Sequence, residues 1–135
     1  MAEIILAIEA IHKANIVYRD LKMENILLTK LGHVKICDFG LSKMVYPGDK
    51  TYTVCGTIGY MAPETILGQG YDHKCDIWAL AVILCEMIGG FSPFYNEDPM
   101  KMYQGIAAGK INYPISLTKE PKHLLSTIFV LEPNM

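Results

Sequence analysis

The sequence predicts a mainly α-helical domain that carries one small β-hairpin, so the fold class is α+β overall. Three observations support this prediction. Apolar residues recur at helical spacing near the start, a long apolar run in the middle has the length of a helix, and two short strand-like runs flank a turn with glycine. Residues 1–135 are enough for one domain, or for part of a larger one.

The first predicted elements are a helix and the hairpin. The helix covers Ala2 to Lys13, where isoleucines recur on one stripe. Ile26 to Thr29 and Val34 to Cys37 have strand-like patterns, and Gly32 lies in the turn between them. A charged loop at residues 18–25 lies between the first helix and the hairpin.

A long loop and four helices are predicted for the rest of the chain. Residues 38–59 show no periodicity, and loops of this length are usually functional or disordered. A short helix opens at Ala62–Glu64, where the proline occupies a position that needs no N–H donor. Cys75 to Ile88 is apolar on nearly every face, which predicts a helix buried all round. Two amphipathic helices are predicted at Pro99–Ala108 and Glu120–Leu131.

Composition argues against several classes of function. The net charge of −2 offers no basic footprint for nucleic acid or for a membrane surface. The longest apolar run, Ile77 to Cys85, is too short to span a bilayer, and the first residues lack the basic region of a secretory signal. Four cysteines without metal-binding spacing predict reduced thiols inside the cell, so a cytoplasmic location, with the nucleus as a second compartment, is expected. A hydrophobic fraction of 51% suggests that part of the surface is covered by another unit.

The hairpin gives the preceding charged loop a chemical meaning. Asn25 precedes the first strand and Asp38 follows the second, so strand pairing is predicted to bring them face to face, about 4.5–5.5 Å apart. Two oxygen ligands at that separation can share one Mg²⁺. Asp20 and Lys22 add a carboxylate base and a cation. These are the groups that phosphoryl transfer requires, because that chemistry depends on positioning and charge neutralisation.

A purely structural interpretation exists for each of these residues, since Asp and Asn are ordinary turn residues beside a hairpin. The ordered set argues against it. D-L-K-x-E-N begins at Asp20, D-F-G begins at Asp38, and A-P-E begins at Ala62 after a polar loop. Chance assembly of all three motifs in this order is negligible.

These motifs resemble the catalytic loop, the metal-binding motif and the end of the activation segment of eukaryotic protein kinases. Tyr18 in place of the commoner histidine, together with T-Y-T-V-C-G-T at residues 51–57, is similar to the AGC group of serine/threonine kinases. The cyclic-AMP-dependent protein kinase catalytic subunit is the nearest in pattern, and the segments at residues 90–95 and 109–114 continue the likeness. The resemblance covers the whole chain.

The resemblance implies ATP and Mg²⁺ as cofactors and assigns roles to five residues. Asp20 would accept or orient the substrate hydroxyl, and Lys22 would support the transferred phosphoryl group. Asn25 and Asp38 would bind Mg²⁺. Leu27 would pack beneath the adenine.

The resemblance also implies a regulatory phosphorylation site. Thr53 stands where related kinases are phosphorylated, and Arg19 and Lys43 are the cations placed to receive the phosphate. The alternative is an exposed threonine with no role.

Substrate selection is implied by three further residues. Glu24 and Glu86 match two acids that receive an arginine near the phosphorylation site, which implies protein substrates with basic residues before the target. The alternative is a solvated Glu24 and a Glu86 that merely ends a helix. Thr57, with Lys22, is the serine/threonine pattern rather than the tyrosine pattern.

Structural roles are implied for four more residues: Phe39 and Gly40 within D-F-G, Glu64 as one half of a buried ion pair, and Asp76 as the support of the catalytic-loop backbone. The domain predicted over residues 1–135 is a partial protein kinase domain: the C-terminal lobe from the helix before the catalytic loop, with the small lobe absent. It would end one residue short of the arginine that family members pair with the glutamate. The missing small lobe would be its partner.

The favoured hypothesis is therefore a serine/threonine protein kinase, of which this chain alone would be inactive. The alternative is a non-catalytic kinase lobe that acts as a binding or scaffolding module. An intact set of Asp20, Asn25 and Asp38 favours the enzyme, since a binding module has no physical need for a complete metal site.

Overall fold

Five α-helices form the body of the chain in a computed structural model that describes residues 1–131. They are α1 (Ala2–Lys13), α2 (Pro63–Ile66), α3 (Lys74–Gly89), α4 (Pro99–Ala107) and α5 (Lys119–Ile128). Short 3₁₀ turns lie at Met23–Asn25 and Ile58–Tyr60. The mainly α-helical class is confirmed. The predicted end of the domain at residues 132–135 lies outside the described residues.

The predicted hairpin is present as an antiparallel pair. Strands β2 (Ile26–Leu28) and β3 (Val34–Ile36) pair in the order expected, with Ile26 opposite Ile36. A second antiparallel pair was not predicted: β1 (Ile16–Val17) and β4 (Lys43–Met44) are two residues each, too short for a sequence pattern to reveal. This second pair ties the start of the long loop to the segment that follows α1.

Helix α3 lies at the centre of the core. One hydrophobic cluster on it contains Trp78 and Val82, and a second contains Ile83 together with Ile4 and Ile8 of α1. The prediction that this helix is buried all round is wrong at two positions, since Ile77 is 36% exposed and Met87 is 44% exposed. Tyr18 and Leu21 belong to the second cluster, so the catalytic loop predicted from the sequence is held between α1 and α3.

Helix α5 ends three residues earlier than predicted because its last aromatic residue leaves the helix to join the core. Phe129 has ψ of 68° and packs edge-on against Trp78, with the ring centroids 4.8 Å apart. Trp78 also stacks on Phe94 at 5.4 Å. This aromatic cluster fixes α5 and the segment after α3 to the central helix.

Two smaller findings complete the fold. Within residues 1–131, no helix is both long enough and apolar enough to cross a membrane. The four cysteines are free thiols; Cys75 and Cys85 are buried, and Cys37 and Cys55 are partly exposed.

Candidate active site

Asp76, in the first turn of α3, organises the loop before β2. Its side chain is 1% exposed, and its carboxylate forms hydrogen bonds to three residues of the preceding elements and a weak one to the thiol of Cys75 at 3.9 Å. Oδ1 accepts from the backbone N–H of Arg19 at 2.9 Å, and Oδ2 accepts from the backbone N–H of Tyr18 at 2.9 Å. His12 of α1 approaches Oδ2 with Nε2 at 2.8 Å. Arg19 has a φ of 72°, so these bonds hold the backbone in a left-handed conformation that arginine rarely adopts.

Asp20 follows this turn, and its two carboxylate oxygens have different partners. Oδ1 accepts a hydrogen bond from the Thr57 hydroxyl at 2.8 Å, and Oδ2 lies 3.0 Å from Lys22 Nζ. Lys22 Nζ also donates to the Thr57 hydroxyl oxygen at 3.0 Å, which closes a triangle. The hydrogen bond from Lys22 to Asp20 raises the pKa of the lysine, so its ammonium stays charged at neutral pH.

Asn25 joins the same network from the 3₁₀ turn before β2. It is 7% exposed, and its side-chain Nδ2 donates to the backbone oxygen of Asp20 at 2.9 Å and to Oδ2 at 3.3 Å. Because the amide N–H groups point at Asp20, the amide oxygen of Asn25 remains available as an acceptor or a metal ligand. The structure thus brings Asp20, Lys22, Asn25 and Thr57 together.

Asp38 lies near this network but not in the predicted register. The prediction that it faces Asn25 directly is wrong by one residue, since the N–H of Cys37 donates to the backbone oxygen of Asn25 at 3.0 Å. Asp38 has a φ of 61° and is exposed, and its Oδ1 accepts from the N–H of Gly40 at 3.1 Å. The left-handed turn moves the chain out of the strand direction at this point. Asp38 therefore lies just beyond the paired residues of β2 and β3 and has no partner opposite it in the hairpin.

Tyr18 links the two motifs, a role that the sequence did not reveal. The fully buried side chain donates its hydroxyl hydrogen to the backbone oxygen of Cys37, and its ring packs edge-on against Phe39 at 5.3 Å. Burial raises the pKa of Tyr18 to about 12, so the hydroxyl remains a donor. The signal for this contact was an aromatic side chain in an otherwise charged loop.

Gly56 positions Thr57. Its φ is 111°, and a Cβ atom there would lie 2.6 Å from the backbone oxygen of Arg19, closer than real Cβ atoms approach. The absence of a side chain therefore lets the loop approach the turn at Arg19, and Thr57, the next residue, reaches Asp20.

The predicted phosphorylation residue is exposed, and the structure does not bring the two predicted cations to its side chain. The backbone oxygen of Thr53 accepts from the Tyr71 hydroxyl at 2.6 Å. Lys43 Nζ donates to the hydroxyl of Thr51 at 3.0 Å, and Arg19 Nε donates to the backbone oxygen of Leu41 at 2.5 Å. Arg19 Nη1 is buried without a hydrogen-bond partner among residues 1–131.

The predicted arginine-binding acids lie near one another around an aromatic residue. The hydroxyl of Tyr60 donates to Glu86 Oε2 at 2.8 Å. Burial raises the pKa of Glu86, and the charge of Glu24 raises it further, although the Tyr60 hydrogen bond acts in the opposite direction. Burial and the neighbouring Glu86 raise the pKa of Tyr60 as well. Tyr60 was not predicted as part of this group.

Two remaining predicted residues lie at the edges of the site. Leu27, on β2, is 51% exposed, so the face expected beneath the adenine is open. Glu64, on α2, is 8% exposed and forms no ion pair with any residue in 1–131. Burial raises the pKa of Glu64, while Lys50 and Lys74 partly oppose this effect.

Comparison with known proteins identifies the family. The whole chain, residues 1–135, matches the family model described as the protein kinase domain. The chain belongs to the protein kinase family. The AGC-like motifs of this kinase chain agree with the names of its relatives.

Three relatives show the extent of the similarity. This kinase chain is 47% identical over 131 residues to the human "cAMP-dependent protein kinase catalytic subunit PRKX", covering 97% of this chain and 36% of the relative. It is 45% identical to the "cAMP-dependent protein kinase catalytic subunit" of Dictyostelium discoideum, covering 97% of this chain and 20% of the relative. It is 45% identical to the "Serine/threonine-protein kinase gad8" of Schizosaccharomyces pombe, covering 98% and 24%. The kinase chain thus spans only 20% to 36% of the length of these relatives.

Proposed function

We propose that the protein is a serine/threonine protein kinase, which transfers the γ-phosphate of ATP to serine or threonine residues of other proteins. The network around Asp20 is the observation that carries this proposal. One carboxylate oxygen meets Lys22 and the other meets Thr57, while the side-chain amide of Asn25 donates to the backbone oxygen of Asp20 and to Oδ2. A carboxylate fixed in this way can accept a proton from a substrate hydroxyl without first reorienting.

Each residue of the network has a distinct part in the reaction. Asp20 accepts the hydrogen bond of the incoming hydroxyl and takes its proton as the hydroxyl oxygen forms the new P–O bond. The bond between the γ-phosphorus and the β–γ bridging oxygen of ATP breaks in the same step, and ADP leaves. Lys22, whose raised pKa keeps it charged, compensates the negative charge that develops on the transferred phosphoryl group. Thr57 bonds to both Asp20 and Lys22, so it fixes their relative position. A serine or threonine side chain is short enough to approach such a site beside Thr57.

The residues present fit a magnesium ion. The free amide oxygen of Asn25 and the exposed carboxylate of Asp38 are hard oxygen donors, which Mg²⁺ prefers over nitrogen or sulfur. When bound, Mg²⁺ supplies charge neutralisation for the phosphate oxygens of ATP. The bonds from Asn25 to Asp20 and from Gly40 to Asp38 hold these two donors in place.

The decisive experiment compares two substitutions in the intact protein, by which we mean residues 1–135 together with the predicted small lobe. Asp20→Asn removes the proton acceptor, and general-base contributions of about 10²- to 10⁴-fold predict a loss of that size in kcat for a serine peptide. Asp49→Asn makes the same chemical change at an exposed loop position and should leave kcat unchanged. Circular dichroism of both variants reports on folding. Equal activity of Asp20→Asn and Asp49→Asn would refute the proposal. It would also be refuted if the intact protein without any substitution showed no phosphotransfer.

We also propose that the preferred substrates carry arginine before the target residue. Burial and the negative charge of Glu24 both raise the pKa of Glu86, which means that the ionised Glu86 carboxylate lacks a compensating positive charge among residues 1–131. A guanidinium between them would make charge-assisted hydrogen bonds to both carboxylates and relieve their mutual repulsion. The basic class of substrate follows from this pair of acids.

Regulation by phosphorylation of Thr53 is the third part of the proposal. The threonine is exposed, so a kinase can reach it. The unpartnered Arg19 Nη1 supports a role for Arg19 in binding a phosphate, because a buried donor without a partner is unfavourable. Lys43, whose ammonium group donates to the hydroxyl of Thr51 in this structure, is the second cation that we propose for this role.

A further inference from the structure

A polar cavity of about 340 Å³ lies beside α4, away from the network around Asp20. The side of α4 contributes Lys101 and Gln104, three residues apart and therefore on one face of the helix. Lys110 and Asn112 come from the segment that follows the helix. The N–H of Asn112 donates to the backbone oxygen of Pro93 at 2.9 Å, which holds that segment against the loop before α4.

The lining of this cavity is cationic. Lys101 and Lys110 contribute two ammonium groups, three carboxamide side chains contribute further donors, and no carboxylate lines the wall. Neither lysine forms an ion pair with any residue in 1–131. The chain as a whole has a net charge of −2, so this positive charge is a local feature. Asp98, in the neighbouring loop, uses its carboxylate to cap α4 through the N–H of Met100.

We propose that this cavity binds a phosphate group carried on a segment of a partner protein, that is, a phosphoserine or phosphothreonine. A phosphate monoester has a charge of about −1.5 to −2 and three acceptor oxygens, which matches two lysines and several amide N–H groups. The cavity is larger than a phosphate ion, and the buried ring of Phe94 and the ring of Tyr95 add apolar surface. That surface suits the carbon atoms of a peptide. The site is independent of the proposed catalysis, since none of its residues contacts Asp20.

Binding is tested on the intact protein with a short fluorescent peptide that has one phosphoserine among alanines. Fluorescence anisotropy should show that this peptide binds, and that its unphosphorylated form binds roughly ten-fold more weakly. The double variant Lys101→Gln, Lys110→Gln should remove that difference. The matched control Lys30→Gln, Lys119→Gln makes the same change in charge at two other exposed lysines and should preserve it.

A substitution inside the cavity gives a second test. A Cβ atom added to Gly105 would meet no other atom within 4 Å, so a side chain fits there without disturbing α4. Gly105→Glu would place a carboxylate among the lysines and should abolish phosphopeptide binding, whereas Gly105→Ala should retain it. Equal binding by the double lysine variant and its control would overturn the proposal. Inorganic phosphate that binds as tightly as the phosphopeptide would overturn the assignment to a protein segment.

Discussion

At the residue scale, Glu86 is held in surroundings that favour a positively charged ligand. Tyr60 donates a hydrogen bond to its carboxylate, while burial and the charge of Glu24 raise its pKa. Glu86→Gln in the intact protein should therefore reduce the preference for arginine before the target residue. A hydrogen bond to a charged group contributes about 1.5–3 kcal/mol, which predicts a roughly 10- to 150-fold smaller ratio of kcat/KM between an arginine peptide and its alanine counterpart.

The control for that experiment is Glu97→Gln, which removes an exposed acid from the loop before α4. This variant should keep the arginine preference of the unmodified protein. Measuring kcat/KM for both peptides separates a loss of selectivity from a general loss of activity. An undiminished arginine preference in Glu86→Gln would contradict the assignment of this acid to substrate binding.

The raised pKa of Glu86 also predicts a pH dependence. Only the ionised carboxylate attracts a guanidinium, so protonation as the pH falls through the raised pKa removes the attraction. KM for the arginine peptide should therefore rise between pH 7 and pH 5 more steeply than KM for the alanine peptide. Ionisation of Glu86 also affects the free energy of unfolding. Because the pKa of Glu86 is higher in the folded state than in the unfolded state, the protonated carboxyl stabilises the fold at low pH, and this contribution is lost as the pH rises through the folded-state pKa. In Glu86→Gln, KM for the arginine peptide should depend on pH no more steeply than KM for the alanine peptide. If the steeper dependence persists in this variant, a group other than Glu86 causes it.

At the scale of elements, the loop between β3 and α2 is fixed at some points and open at others. β4 pairs with β1, and Thr51 forms a backbone bridge with Tyr71, but Thr53 is exposed just beyond that bridge. Phosphorylation of Thr53 would add one to three charge-assisted bonds, on the order of 2–8 kcal/mol before ordering costs. Ordering a few residues of the loop costs about 1–2 kcal/mol for each residue, so the two contributions nearly cancel. Such a balance makes a loop responsive to one modification.

Thr53→Ala in the intact protein should lower kcat strongly and leave the thermal unfolding midpoint unchanged. The loss follows because the alanine cannot carry the phosphate that Arg19 and Lys43 are proposed to bind. Ser126→Ala, which removes an exposed hydroxyl from α5, is the matched control. A phosphopeptide map of the active protein shows whether Thr53 is modified. Full activity of Thr53→Ala would exclude the switch.

The elements also show how far the sequence determines the structure. α1 agrees with its predicted bounds because its apolar stripe and its ends are local features. The pairing of β1 with β4, the contact between Tyr18 and Cys37, and the departure of Phe129 from α5 depend on residues far apart in the chain. No local pattern encodes such contacts. The register of Asn25 and Asp38 was wrong by one residue for the same reason, because a left-handed φ at Asp38 depends on its tertiary surroundings.

The candidate site was more accessible to prediction than the fold around it. Asp20, Lys22, Asn25 and Thr57 were all proposed from motifs, and the structure brings their side chains together. Motifs name the residues that the chemistry requires. They do not name residues such as Tyr60, which only position the others and can be recognised only from their contacts.

At the scale of the whole molecule, the hairpin and α1 both present apolar side chains to solvent. Leu28 is 77% exposed and Leu31 is 86% exposed on the hairpin, and Leu6 of α1 is 62% exposed. The two elements lie side by side, because Glu3 of α1 accepts a hydrogen bond from the N–H of Val34 at 2.7 Å. Soluble monomers rarely expose large apolar patches, so the patch formed by Leu28, Leu31 and Leu6 on these neighbouring elements is suited to being covered.

Residues 1–135 expressed by themselves should therefore self-associate and bind a hydrophobic dye. Sedimentation velocity measures the association, and the fluorescence of anilinonaphthalene sulfonate measures the exposed apolar surface. Leu28→Gln combined with Leu31→Gln should raise the monomer fraction, because it removes the two most exposed large apolar side chains of the hairpin. Ile115→Gln is the control: this isoleucine has a relative exposure of 105% but lies outside the patch, so its replacement should not change association. A monomeric chain without dye binding would show that this face is stable in water, and the hairpin would then have no need of a covering unit.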